Sequence, residues 1–231
     1  LPPPPGHISV GNGLSVAGPL ARSPEDIEIA LDILASPQEQ DSIAWSFKLP
    51  KARSNKIEDL KIAVWPEEEY AEVDSETSSL ISATVEDLKS AGAKIENATP
   101  PFSFRDSDDV YSKLLNPLMI AGAPQKTLNQ IDEIAKTIED DDMSSMAKTA
   151  RGASSLTRDW IVVNAKRQFM RQQWRAFFEN YDVILCPVCV LPALKHDHRP
   201  FHERSLMING KEREYWDTTL WAGPAVMANP S

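Results

Sequence analysis

A small set of residues has the chemical types of a metal site. Cys186 and Cys189 form a C-x-x-C pair, and His198 and His202 follow in an H-x-x-x-H. Thiolate and imidazole are the ligands that Zn²⁺ prefers, and a C-x-x-C pair can also be a thioredoxin-like redox centre. Cys186, however, ends an apolar run, where a free cysteine behaves as a small hydrophobe, and the spacing to the histidines is shorter than in a zinc finger. We favour structural cysteines beside a histidine-containing loop and expect neither a metal nor a cofactor.

A serine and a lysine match a nucleophile motif. Ser145-Met146-Ala147-Lys148 fits the S-x-x-K of penicillin-binding proteins. The companion S-D-N and K-T-G motifs are absent from the sequence, as are G-x-G-x-x-G, Walker, G-x-S-x-G and H-E-x-x-H motifs. Glycine, which permits close backbone approach to phosphates and oxyanions, supplies only 9 of 231 residues. We therefore interpret residues 145–148 as a polar patch after an acidic loop.

The N-terminal part of the sequence predicts one helix and one loop. Ser23-Pro24-Glu25-Asp26 is a helix start with a capping serine, a proline in the first turn and an acidic residue three positions after the cap. An apolar stripe continues to Leu34, and Pro37 ends the helix. Residues 38–59 are polar, and we expect a surface loop with Trp45 and Phe47 facing inward.

A β-α-β unit follows. Residues 60–65 predict a strand, residues 75–91 a helix capped by Gly92, and residues 93–96 a second strand. A helical crossover makes the two strands parallel. We expect the helix to bury one face, made of Leu80, Thr84, Leu88 and Ala91.

The second half predicts mostly helix, then a strand. Residues 100–150 are helical in pieces, residues 154–180 predict a long helix, and residues 181–187 are short, apolar and β-branched like a buried strand. On the long helix, arginines recur every fourth residue at positions 167, 171 and 175. We interpret them as a solvated or salt-bridged face.

Composition excludes several classes of partner. The formal net charge is −10, and residues 1–150 hold 26 acidic against 13 basic side chains, so we expect no nucleic-acid partner. No apolar run approaches the roughly 18 residues of a membrane helix. The apolar fraction of 42% supports a packed core. We expect a cytoplasmic protein without membrane contact.

Four segments, taken in order, form a longer pattern. They contain Gly18-Pro19-Leu20-Ala21-Arg22-Ser23 before a helix, a strand and glycine return over residues 60–95, the strand approach over residues 174–187, and residues 204–223 with Asn209-Gly210, Tyr215 and Trp221-Ala222-Gly223. In this order they resemble the amidase signature family, and in particular its bacterial amidases.

The resemblance implies an α/β fold with a mixed β-sheet covered by helices. It makes residues 1–231 a partial domain whose sheet is incomplete. Within it we expect four parts: a segment after the missing catalytic loop (1–37), the β-α-β unit (60–96), a helical region (100–180), and a strand with a pocket-side segment (181–231).

The resemblance also implies amide hydrolysis, yielding a carboxylate and ammonia or an amine, by a Ser–cis-Ser–Lys triad beside a Gly/Ser-rich oxyanion loop. The sequence contains no Gly-Gly-Ser or Gly-Ser-Ser, so no catalytic residue can be assigned in it. In family members that loop lies upstream of the segment that matches residues 6–22. The resemblance therefore predicts that this chain alone is inactive.

Tyr215, Trp216 and Trp221 are the candidate substrate-binding residues, because aromatic side chains near a sheet edge can contact an apolar acyl or aryl group. Packing in the core is the alternative role for all three. The expected partner is a small-molecule amide, and a homodimer is open. Two further interpretations of the chain remain: a catalytically dead, amidase-derived binding module, and a zinc-binding α/β protein that uses Cys186, Cys189, His198 and His202.

Overall fold

The computed structural model describes residues 13–14, 18–37, 41–200 and 203–228. The chain divides into two compact units, residues 1–55 and residues 56–230, and each is described by itself. Within the described ranges, no helix is long and apolar enough to cross a lipid bilayer.

The first unit contains the predicted helix, α1 (Pro24–Leu34). The Ser23 hydroxyl accepts a hydrogen bond from the Asp26 backbone N–H at 3.2 Å, which confirms the predicted helix start. The inward placement of Trp45 and Phe47 is wrong, because these side chains are 68% and 63% exposed. Residues 41–50 form only a turn and extended backbone, so they offer the two rings no regular surface to pack against.

The second unit is built on a three-stranded parallel sheet of β1 (Lys61–Val64), β2 (Lys94–Asn97) and β3 (Val183–Leu185). β1 lies in the centre, and its Ile62 pairs with Ile95 on one side and with Val183 on the other. The predicted parallel β-α-β unit and the buried strand of the second half are therefore confirmed.

The crossover helix of that unit is α2 (Ser75–Ser90). Asp74 caps it by accepting a hydrogen bond from the Glu76 N–H at 2.9 Å, and Gly92 follows its end with φ +93°. The predicted buried face is wrong by one residue: Leu80 is 61% exposed, whereas Ile81 is buried. A shift of one residue rotates a helix face by about 100°, and the serines and threonines of α2 make the sequence compatible with both faces.

Five more helices complete the unit, and α3 is central among them. α3 packs against α5, α6 and α7, and α4 packs against α5. A Cβ atom added at Gly152 on α5 would lie 2.8 Å from the Asn116 Cβ on α3, so glycine permits this close helix contact. The bounds are α3 (Phe104–Ile120), α4 (Gln125–Ala135), α5 (Ser145–Ala153), α6 (Thr157–Phe178) and α7 (Ala222–Ala228).

The arginine face of α6 is not solvated as predicted. Arg167 and Arg171 are 3% and 7% exposed. They share a helix face with the buried Met170 and Trp174, and α7 packs against α6. The Arg167 guanidinium donates to the Val226 carbonyl of α7 at 3.3 Å. Burial, together with the charge of Arg171, lowers the pKa of Arg167.

A β-hairpin near the C-terminus consists of β4 (Ser205–Ile208) and β5 (Lys211–Glu214). Asn209 and Gly210 form its turn with φ 51° and 79°, a conformation that an Asn-Gly pair adopts readily. The Asn209 amide also accepts from the Ser75 N–H at 2.9 Å and donates to the Val73 carbonyl at 3.0 Å. These bonds fix the hairpin to the start of α2.

The largest apolar cluster contains three aromatic rings, Trp65, Phe104 and Trp221, which we call the aromatic core. Their ring centroids lie 5.0–5.5 Å apart in edge-to-face geometry, an arrangement that adds attraction beyond the buried area. The Trp221 indole N–H donates to the Ala71 carbonyl at 3.0 Å. The aromatic core therefore joins the end of β1 to α3 and to the segment after the hairpin.

Candidate ligand-binding site

An open cavity of about 380 Å³ lies between the hairpin and the α4–α5 pair. We call it the apolar cavity, and its volume is within the range of small-molecule sites. Its apolar lining consists of Ile131, Ile134, Met146, Ala150, Tyr215 and Trp216.

Helical periodicity and a tight turn bring these side chains together. Ile131 and Ile134 are three residues apart on α4, and Met146 and Ala150 are four apart on α5, so each pair shares one helix face. Tyr215 and Trp216 begin a 3₁₀ turn (Tyr215–Thr219) directly after β5. The aromatic rings thus reach the cavity because the hairpin delivers the chain to this point.

Polar groups at the same cavity connect the hairpin to α5. The Glu214 carboxylate accepts a hydrogen bond from the Ser145 N–H at 2.9 Å, and the Ser145 hydroxyl donates to the same oxygen. The Arg204 guanidinium lies 5.4 Å from the centroid of the Tyr215 ring, a cation–π distance. Both contacts hold the first residues of the 3₁₀ turn in place.

A smaller cavity of about 50 Å³, the polar cavity, shares three wall residues with the first: Ser145, Thr149 and Trp216. Its other lining includes Asp108, Lys148 and Asp217. A volume of this size has room for one small polar group, since one water occupies about 30 Å³ of the liquid. The two cavities therefore adjoin, one apolar and one lined by charges.

The charges of the polar cavity belong to a buried network of Tyr70, Asp108 and Lys148. The Lys148 ammonium lies 2.6 Å from Asp108 Oδ2, and the Tyr70 hydroxyl donates to the same oxygen at 2.7 Å. The Lys148 ammonium also lies 5.4 Å from the centroid of the Tyr70 ring. This network joins α3, α5 and the 3₁₀ turn Glu69–Ala71.

The network sets the protonation states of its members. Burial and, to a smaller extent, the hydrogen bond to Asp108 raise the pKa of Tyr70 to about 12. Burial lowers the pKa of Lys148, but the charge and hydrogen bond of Asp108 outweigh it, and the net shift is upward. Lys148 is therefore an ammonium at neutral pH and cannot act as a general base for Ser145.

Asp217 is the second carboxylate at the polar cavity. Burial raises its pKa, whereas its ion pair with Arg213, at 2.6 Å, opposes that shift. Two carboxylates and one ammonium thus line a space with room for a single small group.

The three predicted substrate-binding residues separate into two places. Tyr215 and Trp216 line the apolar cavity. Trp221 lies in the aromatic core, only 3% exposed, and contributes to neither cavity lining. For Trp221 the structure shows the packing role that the sequence left as the alternative.

The predicted metal-ligand types do not converge in the part of the chain that the structure describes. Cys186 and Cys189 pack against the aromatic core, and burial raises the pKa of the Cys186 thiol. The His196 and His198 rings stack with their centroids 6.2 Å apart, and His202 lies outside the described residues. Across the described ranges, no three Cys, His, Asp or Glu side chains come together as a metal site would require.

The network of Tyr70, Asp108 and Lys148 was not predicted from the sequence. Tyr70 and Lys148 are 38 and 40 residues away from Asp108, and no sequence pattern joins the three. The S-x-x-K match was the one available signal, because it contains both Ser145 and Lys148. Ser145 bonds to Glu214 and Lys148 to Asp108, so the motif marks cavity-lining residues and not a nucleophile with its base.

Comparison with proteins of known sequence finds related chains. An indoleacetamide hydrolase from Bradyrhizobium japonicum is 24% identical over 180 residues, which cover 78% of this chain and 37% of that protein. The A-type subunit of the glutamyl-tRNA(Gln) amidotransferase from Bdellovibrio bacteriovorus is 22% identical over 233 residues, 88% of this chain and 46% of that protein. The chain thus spans less than half the length of these relatives.

Solved structures share the fold. A fatty acid amide hydrolase superposes with a TM-score of 0.59 at 21% identity, over 93% of this chain and 35% of that one. A bacterial aryl acylamidase of the amidase signature family superposes with a TM-score of 0.54 at 18% identity, over 89% of this chain and 44% of that one.

The model of the family described as Amidase matches residues 3–221, nearly the whole chain. The α/β fold inferred from the four sequence segments is confirmed by these neighbours. The chain belongs to the amidase signature family.

Proposed function

We propose that this chain is the part of an amide hydrolase that forms one wall of the substrate site. In this proposal the nucleophile and its base, the Ser–cis-Ser–Lys triad, come from polypeptide outside these 231 residues. The family supplies the reaction class, and the sequence supplies no Gly/Ser-rich loop to carry the triad. The chain alone would then bind substrate without turning it over.

The apolar cavity is the observation that carries this proposal. Tyr215 and Trp216, which the sequence indicated as contacts for an acyl or aryl group, line it together with apolar side chains of α4 and α5. Aromatic and aliphatic walls bind the apolar part of a ligand by removing it from water. The reaction would convert a carboxylic amide to a carboxylate and ammonia or an amine.

The cavity walls favour an amide with an apolar acyl or aryl part. Of the related proteins, the indoleacetamide hydrolase and the fatty acid amide hydrolase carry names of apolar amides. The amidotransferase carries the name of a charged tRNA substrate, which suits a chain with a net charge of −10 poorly. We extend the proposal to a cytoplasmic enzyme that contacts neither nucleic acid nor membrane.

Hydrolysis assays on two proteins test this function. One is the 231-residue chain, and the other is the chain extended by whatever its gene encodes on either side. Ammonia release from an arylacetamide is the measurement. The extended protein should release ammonia, and the 231-residue chain should show no release above buffer.

Two outcomes contradict the proposal. Turnover by the 231-residue chain after stringent purification would place the catalytic residues inside it. An extended protein that binds the arylacetamide without any turnover would instead identify the catalytically dead binding module.

A further inference from the structure

We propose that Lys148 donates a hydrogen bond to the carbonyl oxygen of the ligand, and that Asp108 and Asp217 make the site select a neutral amide over the corresponding carboxylate. The proposal rests on the proposed function for the class of the ligand. It adds the residues that recognise the polar end of that ligand.

The placement of the two cavities is the first support. Ser145, Thr149 and Trp216 belong to the walls of both. A ligand with its apolar part against Trp216 can therefore extend a small polar group past Ser145 into the polar cavity. The volume of about 50 Å³ fits a carboxamide group and excludes a second ring.

The donor capacity of Lys148 is the second support. An ammonium has three N–H donors and no acceptor. Asp108 takes one of them at 2.6 Å, and Lys148 also lines the polar cavity. The side chain is only 14% exposed, and a charged donor is worth more in such a partly desolvated place than in water.

The carboxylates provide the selectivity. Asp108 and Asp217 line the same small space as Lys148. A carboxylate ligand would add a third negative charge there against one ammonium, and like charges at short range are unfavourable. A neutral carboxamide avoids this repulsion, and its NH₂ group can donate to a carboxylate. The same charges would favour departure of the carboxylate product of an amide hydrolase.

Binding of three matched probes to the 231-residue chain tests this inference. Naphthalene acetamide, naphthalene acetate and methylnaphthalene share one ring system and differ only in the polar group. We expect the amide to bind most tightly to the unmodified chain. Lys148→Met should weaken amide binding about tenfold, the usual size of a lost charged hydrogen bond, and leave methylnaphthalene binding within about twofold.

Control variants separate recognition from folding. Lys113→Met removes an exposed lysine that pairs with Asp109, and should change none of the three affinities. Asp108→Asn/Lys148→Met removes both buried charges, so it avoids an unpaired carboxylate and should show the same amide-specific loss. Asp108→Asn alone keeps the ammonium and should bring acetate binding closer to amide binding.

Several results would overturn the inference. One is an amide affinity unchanged in both Lys148 variants; another is an equal loss for the amide and the hydrocarbon. Acetate binding as tight as amide binding in the unmodified chain, or no probe binding at all, would also contradict it. These measurements involve no turnover, so failure of the hydrolytic function and failure of Lys148 recognition remain distinguishable.

Discussion

Trp216 and Trp221 are five residues apart and have opposite roles. Trp221 is sealed in the aromatic core, with its indole N–H bonded to the Ala71 carbonyl. Trp216 is partly exposed and forms part of the wall shared by the two cavities. The 3₁₀ turn between them directs one ring toward the packed interior and the other toward open space. The pair shows how one short segment can serve stability and ligand binding separately.

The largest effect is expected from Trp221→Ala. Removing a buried tryptophan leaves a cavity in the aromatic core and should lower the free energy of unfolding by about 3–5 kcal/mol. Trp216→Ala should cost less than about 1.5 kcal/mol, because its ring is only partly buried. Urea denaturation of both variants measures the difference. Equal losses would remove the distinction between the two tryptophans.

A buried ion pair provides the next comparison. Lys148→Met leaves Asp108 buried without its cation and should cost roughly 3 kcal/mol of stability. Asp108→Asn/Lys148→Met should recover much of that loss, since neither buried charge remains. Denaturant midpoints of the two variants decide. A double variant less stable than Lys148→Met would show that the pair itself, and not the unpaired charge, determines stability here.

The raised pKa of Tyr70 predicts an alkaline loss of stability. The pKa of this phenol is at its ordinary value of 10.0 in the unfolded chain and at about 12 in the folded chain. Stability from the neutral phenol is therefore fully present below pH 10 and is lost as the pH rises from 10 to 12. Tyr70→Phe should lose less stability across that window. Urea midpoints on both sides of pH 10 measure this, and parallel pH profiles for the two proteins would contradict the assignment.

The smallest effect concerns the turn that delivers Tyr215 and Trp216. Gly210 has φ +79° with open space around it, so Gly210→Ala adds backbone strain without a clash and should cost about 1 kcal/mol. Gly122→Ala is the control, because Gly122 also has open space but has no positive φ. If the Gly122 variant loses as much stability, the conformation of the hairpin turn is not what Gly210 supplies.

Local signals allowed much of the fold to be predicted. The capping box at Ser23 located the start of α1, and the Gly92 return located the β-α-β unit. These features depend on residues close in sequence, where backbone preference and capping decide. The hairpin had such a signal too, because Asn209-Gly210 follows the alternating burial of Leu206 and Ile208.

Contacts between distant segments could not be predicted. Arg167 and Arg171 have the spacing of a solvated face, and they are buried because α7, about 50 residues later in the sequence, packs on α6. The resemblance found Tyr215 and Trp216 but could not separate them from Trp221, since all three are aromatic residues in one segment. Packing against Trp65 and Phe104 made that distinction.

The central claim is that Trp216 contacts substrate whereas Trp221 only holds the fold. The most direct measurement is the KM for an arylacetamide of the gene-encoded, extended protein, compared between Trp216→Ala and Trp221→Phe. Trp216→Ala should raise KM about tenfold or more, because an aromatic contact with the aryl group is lost. Trp221→Phe keeps a ring in the aromatic core and should leave KM within about twofold. The opposite pattern, with KM unchanged by Trp216→Ala, would contradict the account.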